Sequence, residues 1–107
     1  MKKLSSELNL NVSWKSFIYV KEFINYYQTK KDWRAERYSA LAKVIAHKYN
    51  VTENAVQMGV FRYLQKTLSK IQLVYPNINP SEKKYSFESK EILIRLADIC
   101  EEKGCEF

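Results

Sequence analysis

Ile45-Ala46-His47-Lys48-Tyr49-Asn50-Val51-Thr52-Glu53-Asn54-Ala55-Val56 is the stretch on which the reading of this chain depends. A small side chain at Ala46 allows two helices to pack closely. Asn50 belongs to the few residue types that tolerate the left-handed backbone at a helix end. Val51 supplies an apolar plug, and the Thr52 hydroxyl suits the N-cap of a following helix. Val56 then turns an apolar contact back onto the first helix. Four features at fixed offsets describe a helix, a sharp turn and a second helix, the arrangement of the helix–turn–helix. An ordinary αα-corner in a small helical bundle is the structural alternative.

Working upstream, residues 40–50 form a helix with Leu41, Val44, Ile45 and Tyr49 on one face. A short helix runs from Trp33 through Tyr38, capped by Asp32, and either stops near Ser39 or continues onward. Before it, Phe17, Val20, Ile24 and Tyr27 recur at helical spacing, giving an amphipathic helix from Ser13 or Ser16 to about Gln28. Residues 1–12 read as a loose arm. Downstream, a helix from Glu53 to about Ser69 buries Val56, Val60, Tyr63, Leu64 and Thr67. The β-branched and aromatic run Ile71-Gln72-Leu73-Val74-Tyr75 and the alternating Lys84-Tyr85-Ser86-Phe87 read as two strands around the turn residues 76–80. Ser89 caps a closing helix carrying Ile92, Leu93, Leu96 and Ile99, which ends near Gly104. The expected fold is mainly α: a winged helix–turn–helix domain of four to five helices plus a short β-hairpin. It spans residues 13–107 as one domain.

Composition narrows the chemistry. The 107 residues carry 18 Lys and Arg against 12 Asp and Glu, a formal charge of +6. Residues 1–88 hold 15 basic and 7 acidic side chains, whereas residues 89–107 hold 3 and 5. A basic body with an acidic last helix points to nucleic acid or an acidic membrane surface as partner, against the plainer reading of a solvated lysine-rich exterior. Two glycines exclude a Gly-rich phosphate loop. One His and two Cys, five residues apart, do not make a four-ligand zinc site. No acid/base pair or activated nucleophile emerges, so an enzyme, a metal and a cofactor are not expected. No apolar run approaches a membrane span, and no apolar core follows Lys2 and Lys3 as a signal peptide requires. The expectation is a cytoplasmic protein with reduced thiols, Cys100 half-buried and Cys105 exposed.

Within the second helix of the turn, Glu53, Asn54, Gln57, Met58 and Phe61 lie away from the core side. Asn and Gln make bidentate hydrogen bonds to adenine, and apolar groups contact the thymine methyl. Asn54, Gln57, Met58 and Phe61 are therefore the candidate base readers, although an exposed Phe suits a protein interface equally well. Candidate phosphate contacts are Lys43, Lys48, Arg62 and Lys66, joined by Lys30, Lys31, Arg34 and Arg37; each taken singly is as well explained as a solvated charge. Gly59 falls towards the core side, where close helix packing explains it. His47 is an exposed or rim residue. Lys83 and Lys84 suit a wing that reaches a phosphate or the minor groove, or else a solvated hairpin tip.

These residues resemble a known family, the C-terminal DNA-binding domain of the master response regulator of sporulation initiation in spore-forming bacteria. The resemblance begins at Lys15-Ser16-Phe17-Ile18-Tyr19-Val20-Lys21-Glu22-Phe23-Ile24 and continues through Ile45-Ala46-His47-Lys48-Tyr49-Asn50, Thr52 and Val56. It returns at Ser89-Lys90-Glu91-Ile92 and Leu96-Ala97-Asp98. It implies a compact helical domain whose second motif helix enters the major groove, as a dimer on repeated sites. The chain departs from the family at Met58 and Phe61, where basic readers are expected, at Gln57 in place of an acid and at Lys43 in place of a proline. Residues 69–88 are shorter and strand-like, and no phosphoacceptor domain is present.

The leading expectation is thus a homodimeric double-stranded DNA-binding protein of winged helix–turn–helix type, acting on short repeated sites. It serves either as a transcription regulator or as a plasmid or mobile-element accessory factor that marks a site for a larger machine. The alternative is a protein-interaction module on the same scaffold, using Phe61 and Met58.

Overall fold

The apolar stripes and turn residues divide the chain into helices, which the computed structural model describes over residues 3–78 and 89–107. They are α1 (Leu4–Glu7), α2 (Lys15–Thr29), α3 (Tyr38–Tyr49), α4 (Glu53–Val74) and α5 (Ser89–Lys103), with a 3-10 turn at Lys31–Ala35. The protein is mainly helical, and no strand occurs among the described residues. α2 packs against α4 and α5, and α3 lies across α4 and α2. The core forms where Val20, Phe23, Ile24 and Tyr27 of α2 meet Leu41 and Ile45 of α3, Val56, Val60 and Leu64 of α4, and Leu93 and Leu96 of α5. Each aliphatic side chain fully removed from water contributes about 1.5–3 kcal/mol before conformational entropy is subtracted.

The turn after α3 has the geometry its residues suggest. Asn50 is left-handed, with φ 54° and ψ 47°. Its N–H donates to the His47 carbonyl at 3.3 Å, and the Val51 N–H donates to the Ala46 carbonyl at 3.0 Å. This pair of bonds is the Schellman closure of a helix end. Val51 packs against the core, and the Thr52 hydroxyl accepts the Ala55 N–H at 3.0 Å to open α4. Gly104, with φ 63°, ends α5 by the same pattern: its N–H meets the Glu101 carbonyl and the Cys105 N–H meets the Cys100 carbonyl.

Several elements differ from the sequence reading. Residues 3–10 are not a loose arm, because Leu4, Leu8 and Leu10 are buried and the Leu4 and Ser5 N–H groups donate to the Glu106 and Phe107 carbonyls at 2.8 and 3.0 Å. A four-residue helix is too short for its periodicity to register, yet Leu4 and Leu8 stand one turn apart and cover the core together. The expected helix from Trp33 to Tyr38 is the 3-10 turn followed by extended Glu36, and Asp32 makes no capping bond. Tertiary ties hold this segment. The Trp33 ring sits edge-on to Tyr26, and Arg34 donates through Nε to the Tyr27 carbonyl at 2.9 Å. α3 begins at Tyr38, which settles the boundary, and Val44 faces solvent rather than the core.

The largest correction concerns residues 71–75. They do not start a hairpin: α4 runs to Val74 without a break, and Tyr75 caps it. Ile71 continues the buried stripe of Val60, Leu64 and Thr67, so packing overrides the strand propensity of the run. The second expected strand, with Lys83 and Lys84, lies outside the described residues. Ser89 opens α5 from within its first turn and is buried there. Ile99 is only partly buried and Cys100 takes the inward position instead, so this thiol is deeper than expected. Burial first, and then the adjacent Cys105, push its pKa up to about 12, leaving it a thiol at neutral pH.

Candidate nucleic-acid interface

α4 carries the candidate site because its inward stripe leaves two flanks uncovered. Each residue advances the helix by about 100°, so Asn54, Gln57, Met58 and Phe61 fall on one flank and Ala55, Gly59, Arg62 and Lys66 on the other. The four candidate base readers are brought together: with Tyr38, Ser89 and Lys90 they line one concavity of about 450 Å³. Asn54 is exposed in the first turn, and Met58 is 40% exposed. Phe61 is half-buried. The Gln57 amide donates from Nε2 to Glu53 Oε1 at 3.0 Å, a one-turn pair that orients it along the helix surface. Reading a base with both amide groups requires that half-buried bond to be exchanged.

Tyr38 forms the wall of this concavity where α3 begins. Its burial first, and then the neighbouring Tyr27 hydroxyl, raise its pKa well above the ordinary tyrosine value, while the nearby Ser89 hydroxyl acts the other way. Tyr38 is therefore a neutral phenol at any physiological pH.

The candidate phosphate contacts divide. Arg62 and Lys66 are exposed on the second flank of α4, and Lys43 is exposed on α3. Lys48 is engaged instead: its ammonium lies 2.9 Å from Glu22 Oε1, and that carboxylate raises its pKa, first by hydrogen bonding and then by charge. Lys31 and Arg34 are also committed, to Glu101 at 2.7 Å and Asp98 at 2.8 Å. The acidic closing helix thus gathers basic residues from the 3-10 turn. Lys30 lies over the Tyr26 ring, and His47 is exposed as expected.

The sequence reading missed the partners that α2 and α5 bring to α4. The second flank faces the start of α2, where Trp14, Lys15, Ser16 and Tyr19 complete a concavity of about 510 Å³ with Gly59, Arg62 and Lys66. Lys66 Nζ lies 5.1 Å from the centre of the Trp14 ring. Gly59 faces α2 closely: a Cβ there would stand 3.4 Å from Ser16 Cβ and Tyr19 Cδ2, within ordinary van der Waals contact, whereas a larger side chain would not fit. No local signal links Trp14 to Lys66 across fifty residues of chain; only the crossing of α2 and α4 does so.

Comparison with protein-family models, with curated proteins and with solved structures finds no match for this chain. Among the described residues no group of three or more His, Cys, Asp or Glu side chains is placed to hold a metal ion. No helix among them is long and apolar enough to cross a membrane.

Proposed function

We propose that this protein binds double-stranded DNA through a helix–turn–helix formed by α3 and α4, with α4 as the helix presented to the major groove. The observation that carries the reading is the convergence of Asn54, Gln57, Met58 and Phe61 on one open concavity at the start of α4, immediately after a left-handed turn and a hydroxyl cap. Amide and apolar side chains in that position match the adenine edge and the thymine methyl. Arg62 and Lys66, exposed on the neighbouring flank and without a carboxylate partner among the described residues, fit the phosphates beside such a groove. The resemblance to the effector domain of the sporulation regulator belongs to this proposal, as do homodimeric binding to short repeated sites, a cytoplasmic location and a role either in transcription or as a mobile-element accessory factor.

The reading does not depend on a wing. One half of the expected hairpin is helix, and the other half lies outside the described residues. A protein-interaction role on the same scaffold draws its support from Leu73 and Val74, which are 85% and 50% exposed at the end of α4. A surface of that kind also suits self-association.

Salt-dependent titration against random and selected duplexes tests the proposal. DNA binding requires affinity to fall steeply with salt and a measurable preference for selected sites. Asn54→Ala and Gln57→Ala are expected to relax that preference by about five- to a hundredfold, the worth of a bidentate base contact. Millimolar affinity for every duplex at low salt removes the DNA reading and leaves the protein-interaction role.

A further inference from the structure

The concavity between the start of α2 and the second flank of α4 has a charge pattern found at none of the ion pairs. Lys15, Arg62 and Lys66 all line it, and no carboxylate does. Five cations elsewhere are neutralised by acids: Lys31 by Glu101, Arg34 by Asp98, Lys48 by Glu22, Arg95 by Glu91 and Lys103 by Glu7. The three cations at the concavity have no carboxylate within ion-pairing distance among the described residues. Holding like charges together at an open site is unfavourable until an anion joins them.

Three further features suit an anion of defined size. The Lys15 and Ser16 N–H groups open a fifteen-residue helix whose N-cap, Trp14, makes no side-chain capping bond, while the Phe17 N–H donates to the Trp14 carbonyl at 3.0 Å. The Trp14 ring holds Lys66 beneath it, which narrows the positions its ammonium can take. Gly59 leaves the floor between α2 and α4 without a side chain. An apolar ligand gains nothing from three ammonium and guanidinium groups, whereas a tetrahedral phosphate uses the guanidinium fork, the ammonium groups and the helix N–H donors together.

The geometry points to a phosphate-binding site formed by Lys15, Arg62 and Lys66 with the Ser16 hydroxyl at its edge. Resting on the proposed function, its occupant is a phosphodiester of the DNA backbone. This fixes the side of α4 on which the strand passes: the Trp14 side, with the base-reading residues on the side towards α5.

The test uses the full chain, followed by amide NMR, with two probes: inorganic phosphate against chloride at equal ionic strength, and a short duplex. Lys15→Gln and Arg62→Gln remove exposed charges without partners, so folding is retained and is checked by circular dichroism. The expected result is saturable movement of the Lys15, Ser16 and Gly59 amides with phosphate and with duplex, lost in both variants. Duplex affinity should drop about three- to tenfold in each, equally for all sequences, and the slope of log K against log salt should shrink by about 0.9. Because the two cations hold the same phosphate, the double variant should show nearly the single-variant slope, and additive slope losses overturn the shared site. Phosphate binding with no duplex binding keeps the site but assigns it to a free phosphate compound, overturning the DNA reading. Duplex binding with unchanged amides and slopes in the variants overturns the site and leaves the DNA reading standing. Silence towards both probes overturns both.

Discussion

Replacing Asn50 tests the turn that sets α4 at its angle to α3. Asn50 has φ 54° and ψ 47° and is exposed. The two bonds that close α3 come from the backbone N–H groups of Asn50 and Val51, so they survive any non-proline side chain. A comparison of Asn50→Gly with Asn50→Ala therefore isolates the cost of left-handed backbone from the cost of lost contacts. An L-residue with a Cβ loses about 1–2 kcal/mol in this region, and glycine loses none of it on steric grounds. Glycine gives back part of that advantage through the greater freedom of its unfolded chain, leaving an expected gap of about 1 kcal/mol in favour of Asn50→Gly over Asn50→Ala. The wild type, whose Asn tolerates the conformation, should fall between them or match glycine. In a domain of this size about 1 kcal/mol corresponds to roughly 4 °C in Tm, readily resolved by thermal and urea denaturation followed together. Equal stability of the two variants would refute the argument, because it would mean that the turn does not hold residue 50 in the left-handed region. Asn50→Val should be worse than either, since a β-branched side chain suits the conformation least.

Three other outcomes follow from particular contacts. Leu4→Ala should cost about 2–5 kcal/mol in urea denaturation, because Leu4 is fully buried; a loss under about 0.5 kcal/mol would restore the loose arm. Tyr27 and Tyr63 are both buried, but the Tyr63 hydroxyl donates to the Asn11 carbonyl at 2.9 Å while the Tyr27 hydroxyl has no partner among the described residues. Tyr63→Phe should therefore cost about 1 kcal/mol, and Tyr27→Phe should be neutral or stabilising. Burial raises both phenols to about 12. The unfolded chain ionises near pH 10, so the stability tied to these groups is intact below that pH and is lost as pH rises towards 12. Tyr27→Phe should flatten this alkaline loss, and an unchanged profile would contradict the assignment. Gly59→Ala should raise Tm slightly, as about 1 kcal/mol of helix propensity outweighs contacts at 3.4 Å, whereas Gly59→Leu should lower it by forcing α2 from α4. A thermal melt of the two variants separates these outcomes.

Taken alone, the sequence determined the parts of this protein that neighbouring residues control. The turn through Asn50, Val51 and Thr52, the inward stripe of Val56, Val60, Tyr63, Leu64 and Thr67, and the end of α5 at Gly104 all follow from dihedral preference, capping and period. Those forces act within a few residues, so a local reading captures them. The grouping of Asn54, Gln57, Met58 and Phe61 was legible for the same reason, since helical spacing alone puts them on one flank. Tertiary structure decided the rest. Ile71 to Val74 have strand-like side chains, yet Ile71 meets the core by extending α4, and burial outweighs propensity. Leu4 and Leu8 are buried in a segment whose Leu4 and Ser5 N–H groups are held by the Glu106 and Phe107 carbonyls, a tie no local pattern records. Lys31, Arg34 and Lys48 look as available as Arg62 and Lys66 until their carboxylate partners arrive from α5 and α2. The basic concavity likewise exists only where the start of α2 crosses α4, for charge acts through space and sequence distance carries no record of it.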